Sequence, residues 1–296
     1  SFGAGSRVMM LVDDLPILSG DIGRPSWSFL PIENLEQVEV IKGASSVLYG
    51  SAALSGVINV RTAYPRLEPH TRVSTFAGLY DTPGNPAAKW WDQDAPLMGG
   101  TSFFHSQQFG HFDLVVGGNA FLDYSYIGPA PIPADTLAHD PLRTGPVGNY
   151  DNRARFNIAT RWRNRKVSGL NYGVNANVMK SRSSTVLVWN DTGNGFYRAY
   201  PGTLTRTLGT QYYIDPFVNY FSHDGTRHTL RGRYYYLDNE NDNQQGNQSH
   251  FIFAEYQVQR TFAKLAGTRA TLGISGQTTE SDSRLYSGDP SGRKRY

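Results

Sequence analysis

Few residues in this chain have a type and spacing that could do chemistry. Asp13 and Asp14 are adjacent carboxylates, a pair able to divide acid and base roles, but Pro16 follows two positions on. That punctuation favours a solvated turn, the reading adopted here. The seven histidines are dispersed. None stands at the i, i+4 spacing of a helical metal pair or close to a carboxylate in another ligand pattern. No nucleophile elbow, phosphate-binding loop or dinucleotide fingerprint is present. Cysteine is absent, which removes thiolate nucleophiles, thiolate metal sites and disulfides. We therefore expect no catalytic residues, no metal and no cofactor, and look for function in the elements instead.

The chain has 296 residues, of which 39% are hydrophobic, and carries a net charge of +3. Its mean hydropathy is −0.45. It holds no apolar run long enough for a membrane-spanning helix. Aromatics reach 13%, with 18 Tyr and 15 Phe, and Gly numbers 31. That mix suits sheets with aromatic girdles at a membrane interface. The arginines are spread along alternating segments rather than clustered, so nucleic acid is not an expected partner. Ser1 begins mid-pattern with no charged-then-apolar leader, which reads as a leader removed or lying outside this sequence.

The stretch 35–62, LEQVEVIKGASSVLYGSAALSGVINVRT, organises the N-terminal part. Two short strand patterns, 36–42 and 57–61, flank a Gly/Ser/Ala-rich turn. Ser45 and Ser46 are N-cap candidates for a helical turn that Gly50 would stop. The ordered residues Glu36, Val38, Glu39, Val40, Lys42 and Gly43, followed by Leu48, Tyr49, Gly50, Gly56, Val57 and Asn59, resemble the plug signature of TonB-dependent outer-membrane receptors. Upstream, RVMMLVDDLP at 7–16 resembles that plug's preceding strand, with Asp14 where Gly is usual. The resemblance in motif covers roughly the first 65 residues. It implies plug and gating roles for Glu36, Glu39, Lys42, Gly43, Tyr49, Gly50, Gly56 and Asn59.

From residue 71 the texture changes to segments of about ten residues that alternate apolar with polar. In 153–163, Ala154, Phe156, Ile158 and Trp162 face one way, and Arg153, Arg155, Asn157, Arg161 and Arg163 the other. Segments 112–124, 169–179, 251–262 and 268–277 repeat the rule, and 71–80, 212–220 and 230–236 follow it more loosely, with Pro216 read as a bulge. Short turns near 109–111, 164–168, 223–225 and 263–267 alternate with long polar stretches at 81–100, 125–149, 182–209 and 239–249. That rule describes an outer-membrane barrel with short periplasmic turns and long extracellular loops. A lipocalin-like soluble barrel is the competing architecture.

The expected fold is mainly β: a partial outer-membrane antiparallel β-barrel of about eight strands with a small α+β plug. The division is 1–65 for the plug's C-terminal part and 71–296 for the barrel's N-terminal part. Eight closed strands leave room only for side chains, so the chain reads as a fragment: half a plug and the first third of a barrel. Arg153, Arg155, Arg161 and Arg163, with Asn152, Asn171, Asn175 and Asn177, are expected to line the lumen. The resemblance implies that such arginines lock onto Glu36 and Glu39. Trp90, Trp91, Trp189, Phe196 and Tyr197 either meet ligand or pack locally; no ligand-binding residue is assigned. By resemblance the function is TonB-driven uptake of a scarce nutrient (siderophore, cobalamin, haem, peptide or similar). The implied partners are outer-membrane lipid, the TonB complex through a segment absent here, and a small-molecule or peptide ligand. A rival reading is a receptor-like barrel subunit that anchors a surface lipoprotein or another outer-membrane complex.

Overall fold

The computed structural model describes residues 8–20, 23, 25–42, 56–91, 93–129, 148–190, 196–262, 267–283 and, as backbone, 293–295. The capping and turn residues Ser45, Ser46, Gly43, Tyr49 and Gly50 lie outside them.

A small N-terminal sheet contains β1 (Val8–Val12), β2 (Leu15–Pro16), β3 (Leu35–Lys42) and β4 (Gly56–Thr62) in the order β2-β1-β4-β3. β1 is a continuous apolar run because it is an interior strand, parallel to β4 and buried along most of its length. β4 pairs antiparallel with β3, with a register shift between Leu35 and Gln37. Gly56 opens β4 at φ +142, and a Cβ there would lie 2.5 Å from the Ile41 carbonyl oxygen. Only glycine fits that contact without moving the backbone.

The second sheet is a meander wall. Its strands are β5 (His70–Leu79), β6 (Leu97–Phe109), β7 (Phe112–Asp123), β8 (Asp151–Arg163) and β9 (Leu170–Val186). A two-stranded ribbon, β10 (Trp189–Asn190) and β11 (Arg198–Ala199), interrupts the wall. β12 (Leu204–Phe221), β13 (Thr226–Asn241), β14 (Asn247–Phe262), β15 (Thr268–Ser283) and the short β16 (Arg293–Arg295) continue it. Every neighbouring pair is antiparallel.

Among the described residues the wall has ten strands where alternation predicts about eight. β6 escapes the pattern because Gly99, Gly100 and the polar run His105–Ser106–Gln107–Gln108 blur its two faces. Pro216 makes no bulge. The β12–β13 register is the same on both sides of it, and the ladder merely omits Asp215 and Pro216. The stretch read as a long loop at 239–249 is mostly strand. β13 and β14 run 16 residues each and leave only 242–246 between them. Spanning a bilayer takes about 9–11 residues per strand, so both strands overshoot the apolar zone, and their polar ends look like loop in sequence.

The outward face of the wall is apolar and bounded by two aromatic rows. At the short-turn end, Phe109, Phe112, Trp162 and Tyr172 form a ladder with ring centroids 6.3, 4.9 and 6.3 Å apart. Tyr220, His228 and Tyr256 extend the row. Toward the long-loop end Tyr212, Tyr234, Tyr236 and His250 pack together. From His228 to Tyr236 the strand advances about 26 Å at ~3.3 Å per residue. A tilt of ~40° reduces that to about 20 Å along the membrane normal, near the height of a barrel's lipid-facing band. Between the rows the outward residues are Val174, Val178, Ile214, Val218, Leu230 and Ile252, all exposed.

The inward face carries the main core. Met10, Val12, Ile17, Phe29, Leu30 and Val60 of the N-terminal segment pack against Met179, Tyr213, Tyr235, Leu237 and Phe251 of the wall. Phe29 stacks on Tyr235 and meets Tyr213 edge-on, both at 5.7 Å. Burying a Phe is worth about 1.5–3 kcal/mol, and here the gain exists only while the two sheets stay together.

Candidate functional site

The candidate site is the seam between the small sheet and the wall. Its first part is a turn. Asp13 and Asp14 join β1 to β2 with φ of 52° and 67°, left-handed values that Asp tolerates better than most side chains. The turn is not simply solvated. Asp13 accepts hydrogen bonds from the Thr62 backbone N–H (2.9 Å) and hydroxyl (2.7 Å). Burial pushes the Asp13 carboxyl above its ordinary range, against the pull of those two bonds and of Arg233 and Arg61.

Asp14 is the hub of a charge ladder. It accepts from Asn59 Nδ2 (2.9 Å), Arg61 Nη1 (2.6 Å) and, across the seam, Arg231 Nη1 (3.1 Å). Arg61 also donates to Glu39 (3.2 Å), and Arg231 pairs with Glu255 (2.6 Å). Asn59 donates to Glu39 as well (3.0 Å). Burial disfavours the Arg61 charge, but its bonds to Glu39 and Asp14 outweigh that and raise its pKa. The ladder borders a cavity of about 410 Å³ at the short-turn end. It stays wet, since Asp14 and Arg231 keep 27% and 22% side-chain exposure.

The second part is dry. Arg233 and Asp215, at 0% and 4% side-chain exposure, pair at 2.8 and 2.5 Å. Arg233 then reaches the small sheet's backbone, donating to Leu15 O (2.8 Å), Pro16 O (3.1 Å) and Val12 O (3.3 Å). One wall guanidinium therefore holds the whole β1–β2 hairpin.

The third part is also dry. Pro31, Ile32, Glu33 and Asn34 make a 3-10 turn just before β3. Glu33 accepts from Arg155 at 2.6 and 3.3 Å and from Asn157 at 2.5 Å, and Arg155 also donates to Ser28 O at 2.6 Å. Arg155 and Glu33 are 1% and 2% exposed. Asn34 bonds Asn157, and Asn177 donates to Phe29 O at 2.8 Å.

The expected lock between Glu36 or Glu39 and the wall arginines is corrected by this arrangement. Glu36 is exposed, with no ion pair among the described residues, and Glu39 pairs inside its own sheet. β3 is the sheet's outer edge, so its carboxylates do not reach the wall, whereas the 3-10 turn before it does. Lys42 is exposed at the end of β3. Of the four arginines, Arg155 alone grips the small sheet by an ion pair. Arg161 and Arg163 share Asp113, at 3.1 and 2.6 Å. Arg161 also lies over the Tyr64 ring (4.8 Å). Arg153 pairs with Asp151 and covers Phe121. Asn175 lines the cavity at the seam, while Asn171 bonds Asn219 at 3.2 Å. Asn152 shares the alternation face of Ala154 and Phe156 rather than that of Arg153. Sequence reading missed Glu33, Asp14 and Arg233 as seam residues. The inward face of Arg231 and Arg233 was legible from Tyr234 and Tyr236 opposite them, but nothing local marks a partner more than 200 positions away.

At the long-loop end Trp90 and Trp91 pack on each other, and Trp90 fills the space a Cβ at Gly128 would need. Phe196 packs on Tyr197, which meets Tyr126. Trp189 is exposed. Burial, then the hydrogen bond from Tyr80 to the Asp123 carboxylate (2.8 Å), push the Tyr80 phenol up to about 12.

A small sheet clamped to one face of a meander wall whose other face is apolar is the arrangement of a plug against part of a membrane barrel. Residues 2–57 match the family model of the TonB-dependent receptor plug domain. The vitamin B12 transporter BtuB of Photobacterium profundum is 34% identical over 77 residues, 26% of this chain and 13% of that protein. The siderophore receptor PirA of Pseudomonas aeruginosa superposes with a TM-score of 0.67 at 14% identity, over 98% of this chain and 43% of PirA. A variant of the ferric enterobactin receptor PfeA from the same organism gives 0.63 at 17%, over 98% and 43%. The N-terminal sheet thus matches the plug domain of the TonB-dependent receptors, and the wall shares the fold of their barrels. The chain spans less than half the length of each receptor named.

Proposed function

We propose that this chain is the plug and adjoining wall of an outer-membrane receptor in a Gram-negative bacterium, taking up a scarce nutrient under TonB drive. The division is 1–65 for plug and 71–296 for barrel. The ligand, of siderophore, cobalamin, haem or peptide class, arrives at the long-loop end. Force on the plug from the TonB complex then detaches it from the wall, and no bond in the ligand is made or broken.

The observation that carries this reading is the grip of Arg233 and Arg155 on plug backbone and Glu33. These contacts seat a separable body on the lumen side of the wall. A barrel whose interior simply filled with its own side chains would have no use for them.

The test is uptake by the native bacterium. Deleting the gene should abolish accumulation of one limiting nutrient, and deleting TonB should do the same with the receptor still present. Accumulation that survives loss of TonB would refute the transport mechanism.

A further inference from the structure

Beside the plug apex, at the long-loop end, lies a second cavity of about 410 Å³. Hydroxyls dominate its lining: Ser28 from the plug, and Ser125, Ser181, Ser183, Ser184 and Thr185 from the wall. Among the described residues its two charged ones are both acids. Asp123 accepts from Tyr80, and Asp151 pairs with Arg153. Strand register continues the same chemistry sideways. Ser181 stands opposite Gly209, then Asn239, Asn247 and Ser283 on the following strands; Ser183 stands opposite Thr207 and Asn241. Cross-strand bonds hold these groups in place, Thr207 to Asn241 at 2.7 Å and Asn239 to Asn247 at 3.0 Å. The charged part of the lumen wall lies deeper, around Asp113, Arg161, Arg231 and Glu255.

We propose that this mouth selects an uncharged ligand rich in amide, hydroxyl or carbonyl groups, and disfavours polyanions. This rests on the receptor reading above and narrows its substrate class. Hydroxyl and amide side chains both donate and accept, so they can replace the hydration of neutral polar groups one for one. A polyanion entering the cavity would lose water and gain no cationic partner from the described residues of its lining. It would also meet the Asp123 carboxylate at short range, where repulsion is poorly screened, while Asp151 is balanced by Arg153.

The test uses the full-length receptor in detergent and tryptophan fluorescence titration. The probes are a neutral ferric trihydroxamate, a triply anionic ferric triscatecholate and a neutral corrinoid. The better neutral probe should bind at least tenfold more tightly than the anionic chelate. Ser183→Arg, which places a cation in the cavity, should shrink that ratio at least tenfold. Tighter binding of the anionic chelate, binding by none of the neutral probes, or an unchanged ratio in Ser183→Arg would each overturn the proposal. TonB-dependent accumulation in cells is measured separately. A neutral probe that binds but never accumulates would refute the transport reading while the ligand class stands.

Discussion

Arg231 and Arg233 sit two positions apart on the same face of β13, yet they do different work because one is wet and the other dry. Arg233→Met leaves Asp215 buried without its partner and strips the donor from three plug carbonyls. Breaking one side of a buried pair costs about 3–5 kcal/mol. The plug of the intact receptor should then become readily cleaved by trypsin. Adding Asp215→Leu should restore the wall's stability but not the plug's protection, since the carbonyls still lack a donor. Arg231→Ala removes two partly hydrated pairs, to Asp14 and to Glu255, each worth about 1 kcal/mol or less, and only the first crosses the seam, so its digestion pattern should match the wild type. Equal digestion of the two single variants would contradict the division into wet and dry contacts.

Asp13 gives a pH prediction at the same scale. Its folded pKa is raised by burial, so the plug carries a cost for the charged carboxylate at pH above that raised value. That cost is full above the folded pKa. It is relieved as pH falls through that value toward the unfolded value of 3.8. Asp13→Asn keeps an acceptor for Thr62 and tolerates the positive φ, so it should raise the melting temperature at about pH 7.5. The advantage should shrink on titration to about pH 4.5. An advantage that grows on acidification would reverse the assigned sign.

At the scale of elements, the seam depends on two close approaches that only glycine permits. A Cβ on Gly117 of β7 would lie 2.2 Å from Asn34 Oδ1 of the 3-10 turn. At Gly20 it would meet Ser249 Cβ at 2.7 Å. Gly117→Ala must displace Asn34 and with it the neighbouring Glu33 contacts, an overpacking cost of about 1–3 kcal/mol. Amide exchange across 28–34 should accelerate in this variant. Gly276→Ala on β15, where a Cβ meets nothing within 4 Å, should leave exchange unchanged, and acceleration in both would point to general loosening instead. These contacts also show what sequence could convey. Period-two alternation in β8, β9 and β14 revealed the wall and its two faces, because each strand reports its own burial. β6 stayed hidden where glycines and polar residues occupy both faces. The plug motif was legible as a string, with Gly56 and Asn59 explained by a backbone clash and a hydrogen-bonding hub. The partners of that plug were not legible. Arg155–Glu33 and Arg233–Leu15 join positions more than a hundred residues apart, and no local pattern encodes such a meeting.

For the whole molecule, the transport mechanism proposed above requires a seam that seals the lumen yet parts under load, and its composition is graded for both. The apolar contacts around Phe29 and the dry clamps at Arg155 and Arg233 supply the seal. The ladder from Glu39 to Glu255 is partly hydrated, so water can replace its bonds one at a time. Within the dry part, Asn34 and Asn177 each leave a buried Oδ1 without a partner among the described residues. An unmet buried acceptor costs about 1–3 kcal/mol, which lowers the work needed to separate plug from wall. The order of contributions can be read as passive leak through the full-length receptor in planar bilayers. Glu33→Ala strands Arg155 in the dry seam, so it should give the largest conductance. Glu39→Ala removes one of two acceptors from Arg61 and Asn59, both of which keep Asp14, and Asp14 still holds Arg231, so its leak should be small. Glu36→Ala touches no wall contact and should match the wild type. A leak from Glu36→Ala equal to that from Glu33→Ala would move the lock back to the edge strand, and the seam described here would not be the one that seals.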